Sequence, residues 1–293
     1  MISVEELDAL DLLIWLGRGE DAARRQSCNQ STISRRCQAV LRTFDLRLQK
    51  DDDGWPCTRQ HDLLQRERTL HQLYRLRSGL PLRVDASLLA APLLRPGVPP
   101  GWWRGALEEV GWQRPLHLLK ERILDAWISG MAQELPQLEQ SWFLTIPLLH
   151  TPLQLAAGLG DPLLQERGLS GSDVAAIPRL APRQGSYART ERLLGAWRLN
   201  HQPFVLESQP HRRHLNSGRR PERGGRVLHY TTAVSVLERP DLRVLDLPLG
   251  IQTDTCLVLH RDLAEEPRLQ ELLRLLQRRA ADLSAQSSLV ATP

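Results

Sequence analysis

Gln30, Ser31, Ser34, Arg35 and Gln38 fall at helical spacing. Their amide, hydroxyl and guanidinium groups are the donors and acceptors that hydrogen-bond base edges and phosphates in a DNA major groove. The opposite side of the same segment carries Ile33, Cys37, Val40, Leu41 and Phe44, an apolar stripe at i, i+4, i+7, i+8 and i+11 that turns inward in a helix. Asn29 stands where a side-chain oxygen can accept the first free backbone N–H. Residues 21–28 read as a shorter helix and a tight turn, so 21–37 forms two helices with a polar, arginine-bearing face on the second. That arrangement carries side chains into a groove.

The rest of the composition narrows the chemistry. The 293 residues are 41% hydrophobic and 25% charged, enough for a small domain and one or two larger lobes. A net charge of +4 permits a nucleic-acid partner without demanding one. No Gly-rich phosphate loop, nucleophile elbow or HExxH helix occurs, so no enzyme, catalytic residue or cofactor is expected. Cys28, Cys37, Cys57 and Cys256 form neither a disulfide framework nor a metal knuckle, and Cys28 and Cys37 fall where a helix-turn-helix needs small apolar residues. A thiol switch through the first three is the alternative. The start lacks a basic and an apolar signal region, and no segment approaches the ~20 apolar residues of a membrane span. A cytoplasmic protein is the expectation.

A first helix is predicted over about Val4 to Leu16, closed by Gly17 to Gly19. Segment 46–48, the acidic run Asp51, Asp52, Asp53 with Gly54, and segment 55–57 read as a two-stranded wing around a turn. From Asp62 to Arg77 a longer helix sets Leu63, Leu70, Leu73, Tyr74 and Arg77 on one stripe, as a connector and dimerisation helix. Short apolar runs then alternate with helical segments: 82–84, 116–119, 143–146, 153–157, 227–230 and 255–259. The alternation indicates an α/β domain, with a last leucine-faced helix from Pro267 to Leu283. The basic stretch 211–226, which includes His211 and His214, reads as a solvated loop or as a contact for phosphates.

This order of elements resembles the LysR-type transcriptional regulators. The resemblance rests on Ala22 and Ala23, on Asn29 to Arg36, and on later landmarks: Pro147 to Leu149 with Pro152 to Leu155, Asp161 to Leu163, Leu169 to Pro178, and Leu257 to Leu273. It implies an α/β protein with an N-terminal winged helix-turn-helix and a two-lobed, periplasmic-binding-protein-like effector domain. The implied division is 1–58 for DNA binding, 59–79 for the dimerisation helix and 80–293 for effector binding. The implied partners are double-stranded operator DNA, a second copy of the chain in a homodimer or homotetramer, and a small-molecule effector. By position, Gln30, Ser31, Ser34 and Arg35 reach bases or phosphates, and Thr32 and Arg36 support them. Asp85 and Ser87 map to the effector site, where Ser87 alternatively caps the following helix. Ser186, Tyr187 and Arg189 form a second polar patch that could face the same cleft.

Several positions depart from that family's pattern. Gly19 stands in place of an aromatic core residue, Gln26 in place of leucine, Leu41 in place of glutamate and Asp45 in place of glycine. The wing tip is acidic at Asp51 to Asp53, and carboxylates repel the phosphates that dominate binding energy. A second reading follows: a winged-helix ligand-binding or protein-interaction module that has lost operator recognition. An enzyme on the α/β region is the third, with no motif to carry it.

Overall fold

A computed structural model describes residues 2–50, 56–107, 111–136, 142–177, 179–181, 187–197, 199, 203–205 and 227–293. The acidic wing tip, Ser186 and the basic stretch 211–226 lie outside them. The chain divides into two compact units. The first comprises Met1–Val84, Pro100–Ala106 and Pro115–Asp125, and the second Asp85–Pro99, Leu107–Arg114 and Ala126–Pro293.

The first unit opens with α1, Val4–Leu16. Ser3 and Glu6 form a capping box at its start, and Gly17 closes it in the left-handed region at φ 73°, a conformation that costs glycine little. Helix α2, Gly19–Arg25, and helix α3, Gln30–Thr43, follow. Leu7, Leu10, Leu12, Ile14, Trp15, Ala22, Ala23, Ile33, Cys37, Val40 and Leu41 are buried. Leu41 therefore departs from a polar residue because its side chain is in the core. Burial next to the Asp11 carboxylate pushes the Cys37 thiol up to about 12, so it acts as a small hydrophobe and not as a thiolate. Asp45, with φ 50°, adopts the left-handed turn that aspartate tolerates better than most residues. Strands β1, Gln49–Lys50, and β2, Pro56–Cys57, pair antiparallel with Gln49 opposite Cys57.

Helix α4, Asp62–Ser78, is inverted relative to an ordinary amphipathic helix. Its buried face carries Leu64, Arg68, His71, Gln72, Arg75 and Leu76, whereas Leu63, Leu70 and Tyr74 are exposed. The inward cations are satisfied by α1 and by the segment after helix α5, Gln113–Lys120. The apolar run 116–119 thus lies in a helix. A four-residue run carries too little periodicity to separate helix from strand. The unit is completed by the parallel pairing of β3, Leu82–Ala86, with β4, Trp102–Arg104.

In the second unit β5, Ala126–Ser129, pairs antiparallel with the late strand β11, Gln252–His260, which also pairs antiparallel with β6, Phe143–Gly158. The two apolar runs 143–146 and 153–157 are one continuous strand. The register slips between Thr255 and Cys256, opposite Pro147, where the missing proline N–H interrupts the ladder. The second half of β6 pairs antiparallel with β9, Leu228–Thr232, and β10, Leu242–Val244. Strand β9 pairs parallel with β7, Arg179–Ala181, and β7 with β8, Pro203–Val205. Between these strands run α6, Gly171–Val174, and α7, Ala188–Gly195. The final helix α8, Pro267–Gln286, buries Leu269, Leu272, Leu276 and Ala280. The core around β6 and β9 is apolar, built from Leu153, Leu155, Ala157, Val174, Leu194, Leu228 and their neighbours.

Candidate nucleic-acid interface

Asn29 organises the start of α3. Its Oδ1 accepts hydrogen bonds from the Thr32 N–H, the Thr32 hydroxyl and the Ser31 hydroxyl, each at 2.8 Å. Three donors on one oxygen fix the helix entry. They also commit the hydroxyl protons of Ser31 and Thr32 to the cap, leaving those oxygens as acceptors. Gln30 lies over Gly19, where an added Cβ would stand 3.0 Å from its side chain. A larger residue at that position would require the exposed Gln30 side chain to shift. Ser34 and Arg35, one turn further on, are exposed, and neither makes a side-chain hydrogen bond or ion pair among the described residues.

Arg35, Arg36, Ala39 and Arg42 of α3 line a groove of about 390 Å³ together with Ser3, Glu5 and Glu6 at the start of α1. Three arginines and two glutamates line it, so the groove carries an excess of positive charge. Gln30, Ser31, Ser34 and Arg35 are thus gathered on the exposed side of α3, while Thr32 and Arg36 are half-buried. Arg36 points back into the helix pair, donating to Gln26 Oε1 at 2.6 Å.

Behind this face lies a buried ionic network that the sequence patterns did not indicate. Arg68 of α4 binds Asp11 of α1 at 2.8 Å and also Glu121. Arg83 of β3 binds Asp8 and approaches Asp11 at 3.8 Å. Asp125 accepts from the Arg83 N–H at 2.7 Å, the Gln72 amide at 2.9 Å and the Arg75 guanidinium at 3.0 Å. Burial alone would raise the Asp8 carboxyl, but the Arg83 guanidinium and the Gln26 amide outweigh it and hold Asp8 below the usual carboxylate range. One signal was present in the sequence: Arg68, Gln72 and Arg75 recur at helical spacing opposite Leu63, Leu70 and Tyr74. Helix α2 is tied down as well. Arg25 donates to the Arg104 carbonyl at 2.8 Å and lies over the Trp103 ring at 5.5 Å.

No protein-family model matches the sequence, and no curated protein sequence matches it. Solved structures do. A full-length OxyR variant from Pseudomonas aeruginosa matches over 95% of this chain and 94% of its own, at 17% identity and a TM-score of 0.53. A full-length BenM variant matches over 99% of both chains, at 14% identity and a TM-score of 0.52. CbnR, a LysR family transcriptional regulator, matches over 94% of this chain and 99% of its own, at 16% identity and a TM-score of 0.50. The chain has the fold of full-length LysR-type regulators.

In this LysR-type fold the two expected effector residues sit on and just after β3, and both are buried. Asp85 Oδ1 accepts from the Ala86 N–H at 2.9 Å and the Leu107 N–H at 3.4 Å. Ser87 Oγ accepts from the Gly130 N–H at 2.8 Å. Its side chain does not cap the 3-10 segment Leu88–Leu93, which corrects the capping alternative: the hydroxyl is held by β5's following loop instead. In the other patch, Tyr187 Oη accepts from the Gly111 N–H at 2.8 Å. The Arg189 and Thr190 N–H groups donate to the Glu134 carboxylate at 3.0 and 2.7 Å. Among the described residues, no group of three or more His, Cys, Asp and Glu could hold a metal ion, and no helix is long and apolar enough to cross a membrane.

Proposed function

We propose that the protein is a LysR-type, DNA-binding transcriptional regulator that reads operator DNA through the exposed face of α3. The observation that carries this is the pairing of an unpartnered Ser34 and Arg35 with a cationic groove on the same helix. Side chains without internal partners need no rearrangement before meeting base edges, so their hydrogen bonds are available to a ligand at low cost. Gln30 and Ser31 extend the contact toward the start of the helix. Thr32 and Arg36 support it from behind.

In this reading residues 1–58 bind DNA, 59–79 dimerise and 80–293 receive a small-molecule effector near Asp85 and Ser87. The exposed Leu63, Leu70 and Tyr74 of α4 favour a homodimer or a homotetramer, because an outward apolar stripe on a helix with a charged inner face lacks cover in the monomer. The protein acts in the cytoplasm, without catalysis.

The test is fluorescence anisotropy of the full chain on duplexes from the region upstream of its own gene, against Arg35→Ala. A bidentate contact is worth about 1–3 kcal/mol of base discrimination, so the variant is expected to lose that preference and keep its nonspecific binding. Equal preference in both proteins would overturn the assignment of Arg35.

A further inference from the structure

Gln26 occupies the turn between α2 and α3, and every polar atom of its side chain is used. Its Oε1 accepts from Arg36 Nη1 at 2.6 Å, and its Nε2 donates to Asp8 Oδ2 at 3.0 Å and to the Glu5 carbonyl at 3.1 Å. The amide therefore stands between a cation on α3 and an anion on α1, oxygen toward the first and N–H toward the second. Each charge polarises the amide in the sense that strengthens the other bond. Asp8 is in turn held by the buried Arg83 of β3, whose backbone N–H is fixed by Asp125. Leucine at position 26 would fill the space and break this chain at its centre.

We infer that Gln26 and Asp8 are positioning residues for the recognition helix: through Arg36 they set the pose of α3 against β3, so that DNA affinity depends on a polar relay as well as on the apolar seam. The seam of Ile33, Cys37 and Val40 holds α3 by packing, through contacts that are themselves non-directional. The hydrogen bond from Arg36 to Gln26 is directional and adds an angular constraint that packing alone does not supply. Arg36 is thereby kept from the duplex, and its neighbour Arg35, about 100° further around the helix, is presented to it. The inference rests on the DNA-binding reading for its functional half only.

The experiment uses the full chain, with Gln26→Leu, Asp8→Asn and Arg36→Ala alone and Gln26→Leu combined with Arg36→Ala. The first readout needs no DNA: nitrogen-15 NMR of the Arg36 guanidinium, whose protons are expected to exchange slowly in the wild type and at least tenfold faster in Gln26→Leu and Asp8→Asn. The second is affinity for a duplex selected by the wild type from a random library. Gln26→Leu is expected to weaken binding about tenfold in the wild-type background and not at all in the Arg36→Ala background. A merely structural Gln26 would give equal losses in both backgrounds. That outcome, or unchanged guanidinium exchange, overturns the inference. A wild type that selects no duplex overturns the DNA-binding reading, while the guanidinium exchange still decides the relay.

Discussion

The two compact units bury different kinds of interior. Around β6 and β9 the second unit closes over leucine, valine and alanine. The first unit has an apolar seam among α1, α2 and α3, but behind that seam it encloses Asp11, Arg68, Arg75, Arg83, Glu121 and Asp125. An apolar interior is held by shape alone, because its contacts carry no preferred direction. An ionic interior holds one geometry, because each ion stripped of water must keep its partner. The helix proposed to meet a duplex is backed by the ionic kind. The unit proposed to bind an effector is built around the apolar kind.

The largest expected effect breaks the ionic interior. Arg83→Met leaves Asp8 without its cation and Asp11 with Arg68 alone, and removal of one partner from a buried pair costs about 3–5 kcal/mol. Urea denaturation of the full chain should show that loss in the transition that unfolds the helix-turn-helix. A loss below about 1 kcal/mol would mean that the network contributes little. Leu155→Ala sharpens the contrast from the other side. Leu155 is fully buried, and its truncation is expected to destabilise the second unit by about 2–5 kcal/mol. The cost should be the same at low and high salt, since no charge is involved. A loss confined to the first transition would contradict the division into units.

How legible these two interiors were follows from their chemistry. Helix α1 could be read because Gly17 is an explicit stop signal and its apolar positions repeat. Helix α3 could be read from its own apolar repeat, with Asn29 at its cap. Leu63, Leu70 and Tyr74 of α4 also form a visible stripe, but that stripe faces outward, and the inner face sets Arg68, Gln72 and Arg75 between Leu64 and Leu76. Periodicity reports which residues avoid water, and it is silent on which carboxylate a buried arginine will find. Asp11 lies 57 residues from Arg68, a separation that no local pattern bridges. The departures at Gly19, Gln26 and Leu41 were visible as departures. What each meets in the fold is a contact: the approach of Gln30, the bond to Arg36, and burial. Of the candidate site residues, Ser34 and Arg35 needed only the helical face to be found. The inward turn of Arg36 required coordinates.

The central claim is that the exposed face of α3 meets duplex DNA, and the salt dependence of binding tests it most directly. The full chain should be titrated by anisotropy against its selected duplex from about 50 to 200 mM salt. Proteins that neutralise several phosphates lose affinity linearly on a log–log plot, with a slope of about −0.9 per phosphate contact on B-form DNA. The account predicts a slope of several units for the wild type, reduced by about one in Arg42→Ala, a variant of the groove beside Arg35. A flat line, with no binding above background at the lowest salt, would contradict it.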